Sequence, residues 1–176
     1  MVRWLLAVVF SVVPVLAQVR EGVDLGVLGA FKACLEAEVA QGRLPGAVAT
    51  ALDYYRFLQA LLNGGTLEGK RILSPKSVAL MTADHLGPLY LPSLQRGAPY
   101  LPGPGYGFGL GFAVRLEDGG NPLPGSKGDY FWAGLFGTYF FVDPKERLIG
   151  VFMTQSPGGR TYYAQLFRNA VYASLR

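Results

Sequence analysis

Cysteine and histidine are nearly absent from this chain of 176 residues, which contains only Cys34 and His85. A single cysteine excludes an intramolecular disulfide framework and any zinc site built from several cysteines. A single histidine leaves no site with two histidine ligands. The sequence therefore implies no metal, nucleotide or redox cofactor. We interpret Cys34 as a buried, inert thiol and His85 as a surface or loop-anchoring residue.

Charged residues are also scarce, at 16% of the chain against roughly 25% in an ordinary globular domain. Hydrophobic residues reach 51%, which excludes a disordered chain because such chains combine low hydrophobicity with high net charge. The net charge of +4 is mild, and the basic residues are scattered without a stripe of interleaved aromatic residues. The sequence therefore does not indicate nucleic-acid binding.

The first 17 residues account for part of the apolar excess. Arg3 precedes a short apolar run over residues 4–17, and Val15 and Ala17 form a small-residue cleavage pattern. This arrangement predicts a signal peptide over residues 1–17, cleaved after Ala17, and a secreted or periplasmic protein. The alternative is a membrane anchor formed by residues 4–17, although that run is shorter than the roughly 20 residues that a membrane span needs. After cleavage we expect no stable membrane span.

The remaining residues, 18–176, predict one domain in which helices flank an antiparallel sheet. Apolar spacing and capping residues predict helices over Asp24–Gln41, Thr50–Asn63, Ser74–Thr82 and Thr161–Leu175. Apolar and aromatic runs predict three strands over Tyr106–Glu117, Tyr130–Phe141 and Leu148–Gln155, and a short strand begins at residues 47–50. This order favours the α+β class, as an α/β sandwich.

Two local patterns refine this picture. Five prolines between residues 83 and 105 exclude a central strand there and favour a surface loop. Gly107, Gly109 and Gly111 alternate with larger residues in the following strand, which indicates that another part of the chain packs very close to one face.

No serine nucleophile has the sequence context of a known catalytic motif. The chain has no Gly-x-Ser-x-Gly and no Ser-x-x-Lys, and the nearest match to the latter is Ser93-Leu94-Gln95-Arg96. Arginine remains protonated and cannot act as the base for Ser93. Asp84 and His85 are adjacent on a loop, where neighbouring side chains rarely face each other. The sequence therefore assigns no catalytic residue.

Five segments, in order along the chain, resemble the serine β-lactamase and penicillin-binding-protein superfamily, in the branch of class C β-lactamases and family VIII carboxylesterases. Trp132-Ala133-Gly134 resembles the Trp-x-Gly form of a strand that carries Lys-Thr-Gly or His-x-Gly in other members. The other four segments are Leu44-Pro45-Gly46-Ala47-Val48, residues 50–65, residues 71–82 and residues 105–112.

The resemblance implies a role for the strand around Trp132. In that superfamily the backbone N–H after the glycine forms half of the oxyanion hole, so Leu135 would supply this donor. Gly134 would let an acyl substrate approach the backbone, and Trp132 would form an apolar wall. The alternative is structural, with Trp132 as a buried sheet residue and Gly134 as a bulge.

The departure from the superfamily is as informative as the match. Ser-x-x-Lys and Tyr-x-Asn are both absent, and the chain passes near residues 49–52 from first-strand sequence directly to sequence from late in the domain. The resemblance thus implies an internally truncated β-lactamase-like fold without its helical lobe. We expect a hydrolase of β-lactams or carboxylic esters by ancestry, acting on a small acyl substrate, that is now inactive. The alternative is a non-catalytic remnant or binding module that could self-associate through exposed apolar faces.

Overall fold

The computed structural model describes residues 51–89 and 103–175, together with Ala37 and Gln41. The predicted signal peptide over 1–17, most of the predicted helix over 24–41 and the strand start at 47–50 lie outside the described residues. So do Cys34 and most of the proline-rich loop. These features, and the junction near residues 49–52, stay predictions.

Three helices lie where capping and spacing predict them, namely α1 (Ala51–Leu62), α2 (Pro75–Met81) and α3 (Arg160–Ala173). The side chain of Ser74 accepts a hydrogen bond from the Ser77 N–H at 3.0 Å, and Pro75 occupies the first turn of α2. Gly64 has a φ of +71°, which suits the end of α1. Among the described residues, no helix is both long and apolar enough to cross a membrane.

The strands form two antiparallel sheets. A small ribbon pairs β1 (Thr66–Leu67) with β2 (Lys70–Arg71). The main sheet has five strands in sequence order, namely β3 (Tyr106–Phe108), β4 (Ala113–Arg115), β5 (Tyr130–Ala133), β6 (Tyr139–Asp143) and β7 (Leu148–Phe152). The turn between β6 and β7 occupies the predicted hairpin position, and the antiparallel sheet with packed helices confirms the α+β class.

Two predicted strands are wrong in extent, because each is a hairpin of two strands. The run from Tyr106 is divided into β3 and β4, and Gly111 in the connection has a φ of +96°. The run from Tyr130 is divided into β5 and β6 around Gly137, whose φ is +105°. A continuous aromatic and glycine run does not reveal where the chain reverses, because glycine suits both a close-packed strand and a turn.

The close approach predicted for the glycine-rich segment is confirmed. A β-carbon on Gly107 would overlap the side chain of Asp84, and one on Gly109 would overlap the carbonyl oxygen of Met81. The Leu110 N–H donates to that same carbonyl at 2.9 Å. The end of α2 and the loop after it therefore lie directly against β3 because glycine leaves the space.

The main sheet is buried on both faces. On one face, Phe141 and Phe152 pack against Phe167 and Val171 of α3. On the other face, the apolar residues of α1 and α2 pack against alternate residues of the sheet, namely Leu58, Leu61, Val78, Val114, Tyr130, Phe140, Val142 and Ile149. Alternation along β5 therefore directs Trp132 to the α1 face and Phe131 to the α3 face.

Candidate functional site

The three residues that the sequence assigns to a substrate cleft lie at the end of β5 and in the turn that follows it. Trp132 belongs to β5 and pairs with Phe140 of β6, and Gly134 and Leu135 begin the turn to β6. Trp132 is partly buried, and its ring lies edge-on to Phe108 with centroids 5.0 Å apart. The sheet thus holds the indole in place while leaving part of it accessible.

The turn is tightly hydrogen-bonded. The Gly134 N–H donates to the Thr138 carbonyl at 2.7 Å, and the Gly137 N–H donates to the Gly134 carbonyl at 3.1 Å. A β-carbon on residue 134 would overlap the Thr138 hydroxyl oxygen. The fold itself therefore accounts for glycine at position 134, whether or not a ligand approaches its backbone.

Leu135 lies at the tip of this turn and is 63% exposed. Its carbonyl accepts a hydrogen bond from Nη1 of Arg160 at 3.2 Å, at the start of α3. Within the described part of the chain, the Leu135 N–H has no hydrogen-bond acceptor. This donor therefore remains available to an acceptor from outside.

A cleft of about 310 Å³ opens between this strand end and α1. Its lining residues are Tyr54, Trp132, Ala133, Gly134, Thr138, Tyr139, Phe140 and Met153. The structure thus places Trp132 and Gly134 in the lining, whereas Leu135 is outside it on the adjoining turn.

Tyr54, which no sequence motif assigned to the cleft, closes it from the side of α1. Its ring lies edge-on to Phe140 with centroids 5.2 Å apart. The helical spacing contained this information, since Tyr54 precedes the buried Leu58 by four residues and so lies on the same face of α1.

The lining is apolar and uncharged. Its polar side-chain groups are the hydroxyls of Tyr54 and Thr138 and the indole N–H of Trp132, and none of the lining residues is an acid, lysine, arginine or histidine. The Tyr139 hydroxyl is buried on the α3 face of the sheet. Burial raises the pKa of Tyr54, so its hydroxyl stays protonated at neutral pH. The Tyr139 side chain is held in place by Arg168, whose Nη1 donates a hydrogen bond to the tyrosine hydroxyl at 3.1 Å.

A buried charged cluster lies behind the cleft at the other end of β5. Oδ2 of Asp129 accepts from Nε of Arg115 and from Nη2 of Arg168, each at 2.7 Å, and Oδ1 accepts from the Tyr106 hydroxyl at 3.0 Å. Burial raises the pKa of the Asp129 carboxyl, and the two guanidinium groups oppose that shift. Because arginine stays protonated, this carboxylate is the group that compensates their charge.

The sequence analysis treated Arg115 and Arg168 as two of the scattered basic residues, but both are buried. Arg168 follows Ala164 by four residues and precedes Val171 by three, so it lies on the buried face of α3. A cation at such a position indicates a buried partner, and the helical pattern alone would have raised that expectation.

The interpretation of His85 as a loop anchor agrees with its contact. Its Nε2 lies 2.7 Å from the Leu80 carbonyl oxygen. The adjacent Asp84 carboxylate accepts hydrogen bonds from the backbone N–H groups of Phe108, Leu86 and Gly87. Asp84 therefore holds the loop against β3.

No described serine has the environment of an activated nucleophile. Ser74 and Ser77 bond to each other at 2.9 Å, and the hydroxyl of Ser174 donates to the Val171 carbonyl. In residues 51–89 and 103–175, no serine hydroxyl forms a hydrogen bond with a lysine amine.

Known proteins resemble this chain over most of its length. The sequence model of the Beta-lactamase family matches residues 30–174. The Mycobacterium tuberculosis protein Rv1367c is 40% identical over 113 residues, which cover 62% of this chain and 28% of that protein.

Two solved structures share its fold. EstCE1, a hydrolase with promiscuous acyltransferase activity, is 30% identical with a TM-score of 0.55, covering 69% of this chain and 29% of its own. Simvastatin synthase (LovD) from Aspergillus terreus is 25% identical with a TM-score of 0.54, covering 68% of this chain and 33% of its own. The chain thus spans about a third or less of each relative. Residues 30–174, which the family model matches, include all residues of the cleft. This chain belongs to the Beta-lactamase family.

Proposed function

We propose that this chain retains the acyl-binding edge of a Beta-lactamase-family pocket and does not hydrolyse substrate by itself. The observation that carries the proposal is the N–H of Leu135, a residue that is 63% exposed. This N–H has no acceptor in the described part of the chain, and its turn adjoins the cleft of Trp132 and Gly134. An acyl carbonyl is an acceptor that such a donor would bind. The relative described as a hydrolase with acyltransferase activity supports acyl groups as the ligand class.

The missing half of the site explains why binding would not lead to reaction. Acyl transfer by a serine enzyme needs a hydroxyl activated by an adjacent base, in addition to donors for the oxyanion. The 176 residues contain neither Ser-x-x-Lys nor Tyr-x-Asn. A single backbone donor can orient a carbonyl group, but it supplies no attacking atom.

Binding and hydrolysis can be measured in one sample of the full chain labelled with ¹⁵N. On addition of p-nitrophenyl butyrate, the proposal predicts saturable shifts of the Gly134 and Leu135 amide resonances. The amide resonance of Lys145, in the distant β6–β7 turn, serves as the control and stays in place. Absorbance of the same sample shows no burst of p-nitrophenol, and a parallel sample with nitrocefin shows no burst of hydrolysed product.

Two results would overturn this proposal. A burst of product close to one equivalent per chain would reveal a nucleophile that the sequence does not show. Absence of any shift at Gly134 and Leu135, with the protein folded, would show that the turn binds no acyl group.

The second candidate is an interaction module that self-associates. Large apolar side chains favour it, because Leu135, Phe136 and Leu89 are 63%, 53% and 84% exposed. Sedimentation equilibrium tests this candidate, which predicts an average mass that rises with protein concentration. A mass that stays at that of one chain at every concentration would contradict it.

Export is part of the same proposal and rests on the apolar run over residues 4–17. The expected product in an expressing cell is a chain that begins at Gln18 in the secreted or periplasmic fraction. Intact mass of the native protein measures this, and a full-length chain in the membrane fraction would instead support the anchor.

A further inference from the structure

We propose that the cleft between α1 and the β5–β6 turn selects an uncharged, apolar acyl group and rejects one that carries a carboxylate, with Tyr54 as a specificity-determining residue. This inference rests on the proposed function, since it names the class of acyl group that the same site takes.

The first argument is the chemistry of the lining. Three of its residues, Tyr54, Trp132 and Phe140, present aromatic rings on the α1 face of the sheet, and Met153 adds further apolar surface. The Tyr139 ring packs on the opposite face and is not part of this surface. A ligand that entered this cleft would exchange water for aromatic and aliphatic surface. This exchange favours hydrocarbon groups and leaves a carboxylate without replacement for its hydration.

The second argument is that, among the residues that the structure describes, none in the lining is a counterion for a carboxylate. Transfer of an ionised carboxylate into an apolar site is costly unless a cation or several donors compensate it. Arg160 lies outside the lining, and its Nη1 donates to the Leu135 carbonyl. Arg168 is buried behind Tyr139, where Nη2 pairs with Asp129 and Nη1 bonds the tyrosine hydroxyl. Neither guanidinium is placed in the cleft to receive a ligand carboxylate.

The third argument is the position of Tyr54. Its side chain is 37% exposed, so it lies at the border between the cleft and solvent. Its hydroxyl is an uncharged donor at neutral pH, as an ordinary tyrosine is, and burial raises its pKa further. A neutral carbonyl group can accept from such a donor. The volume of about 310 Å³ is at the lower end of the roughly 300–1,000 Å³ of small-molecule pockets and suits a short acyl chain.

The test uses a pair of ligands that differ only in charge. Ethyl hexanoate and monoethyl adipate have the same ester and the same methylene chain, and a carboxylate replaces the terminal methyl in the second. The chain contains two tryptophans, Trp4 and Trp132, so the Trp4→Phe variant of the full chain reports on the cleft through Trp132 emission. At pH 7 we expect ethyl hexanoate to bind at least about tenfold more tightly.

Each outcome separates this inference from the proposed function. If monoethyl adipate binds equally well or better, the selection for an uncharged group is refuted while acyl binding stands. If neither ligand changes the Trp132 emission of the folded protein, the proposed function itself fails.

A charge introduced into the lining provides the second arm. Tyr54→Lys should improve the affinity for monoethyl adipate by about tenfold relative to ethyl hexanoate, because a counterion now faces the cleft. The matched control is Tyr162→Lys, the same substitution at an exposed position of α3 outside the lining, which should leave the preference unchanged. Equal effects of the two substitutions would contradict the role of Tyr54. If either variant does not fold, the relative affinities of ethyl hexanoate and monoethyl adipate for the parent chain still test the selection for an uncharged acyl group.

Discussion

At the scale of single residues, the buried cluster of Arg115, Asp129 and Arg168 lies at the start of β5. Asp129 immediately precedes β5, and its carboxylate joins β4 to α3 through the two arginines. Nε of Arg168 also donates to the Pro124 carbonyl at 2.6 Å. These contacts fix the strand that carries Trp132, so the cleft depends on residues that do not touch it.

Asp129→Asn should destabilise the fold strongly. The substitution keeps the size of the side chain but leaves two buried guanidinium groups without a negative charge, which we expect to cost about 3–5 kcal/mol. The free energy of unfolding in urea at pH 7 measures the effect.

The matched control for this prediction is Glu68→Gln, the same acid-to-amide change at a surface pair with Arg56. The Glu68 side chain is 66% exposed, so we expect a loss of less than about 1 kcal/mol. Equal losses in the two variants would mean that the buried cluster contributes no more than a surface ion pair.

The sequence predicts some of these residues and not others, for a physical reason. Trp132 and Gly134 belong to a short contiguous pattern, so their proximity follows from the chain itself. The contact of Tyr54 with Phe140 and the pairing of Arg115 with Arg168 through Asp129 join distant parts of the chain. Periodicity shows that such side chains face inward, but it does not show which partner they meet.

At the scale of elements, the β3–β4 hairpin and the end of α2 form one closely packed unit. Gly109 lies against the Met81 carbonyl, and Asp84 accepts the Phe108 N–H at 3.1 Å. The packing depends on the missing side chain at Gly109 and on the charge at Asp84, and each can be tested separately.

Gly109→Ala should lower the free energy of unfolding by about 1–3 kcal/mol, because the new methyl group would meet backbone that cannot rotate away. Gly158→Ala is the control, since a β-carbon there meets nothing within 4 Å. Its effect should stay within about 0.5 kcal/mol. Thermal unfolding of the two variants measures the difference, and a neutral Gly109→Ala would refute the close approach.

Asp84 should make the free energy of unfolding depend on pH in the acid range. Burial alone would raise its pKa, but hydrogen bonds from the Phe108, Leu86 and Gly87 N–H groups outweigh burial and lower the pKa. The folded state therefore binds its proton at lower pH than the unfolded chain, whose aspartate pKa is about 3.9. The stabilisation of the fold by the ionised Asp84 carboxylate is therefore present above the unfolded-state pKa, and it is lost as pH falls through the folded-state pKa.

Asp84→Asn should therefore cost about 1 kcal/mol at neutral pH and progressively less as the pH falls below about 4. Urea unfolding from pH 7 to pH 2 measures the difference between the parent chain and the variant. A difference that stays constant over this range would show that the charge of Asp84 does not matter.

The helices were predictable because their ends have local chemical markers, such as Ser74-Pro75 at the start of α2 and Gly64-Gly65 after α1. The hairpins were less predictable, since the run from Tyr130 stays apolar through the turn at Leu135 and Phe136. A turn is usually indicated by polar residues and proline. Here the tip of the turn presents apolar side chains, and the strand pattern continues across it.

At the scale of the whole molecule, both faces of one sheet are covered by helices, and the cleft opens where α1 meets the end of β5. The chain belongs to the Beta-lactamase family, and its match covers about a third or less of each relative named above. Its residues include three parts of the proposed pocket: Trp132 as the apolar wall, the turn at Gly134 and the Leu135 N–H as the backbone donor. The sequence contains no Ser-x-x-Lys. The central claim is therefore that acyl recognition and acyl transfer are separated in this chain.

The most direct test of this claim is the intact mass of the full chain after incubation with a fluorophosphonate, which labels activated serines covalently. We expect the mass to remain that of the unmodified chain, because the sequence contains no Ser-x-x-Lys and no serine in residues 51–89 and 103–175 is hydrogen-bonded to a lysine. A stoichiometric phosphonyl adduct on any serine would contradict the account and identify the nucleophile that it denies.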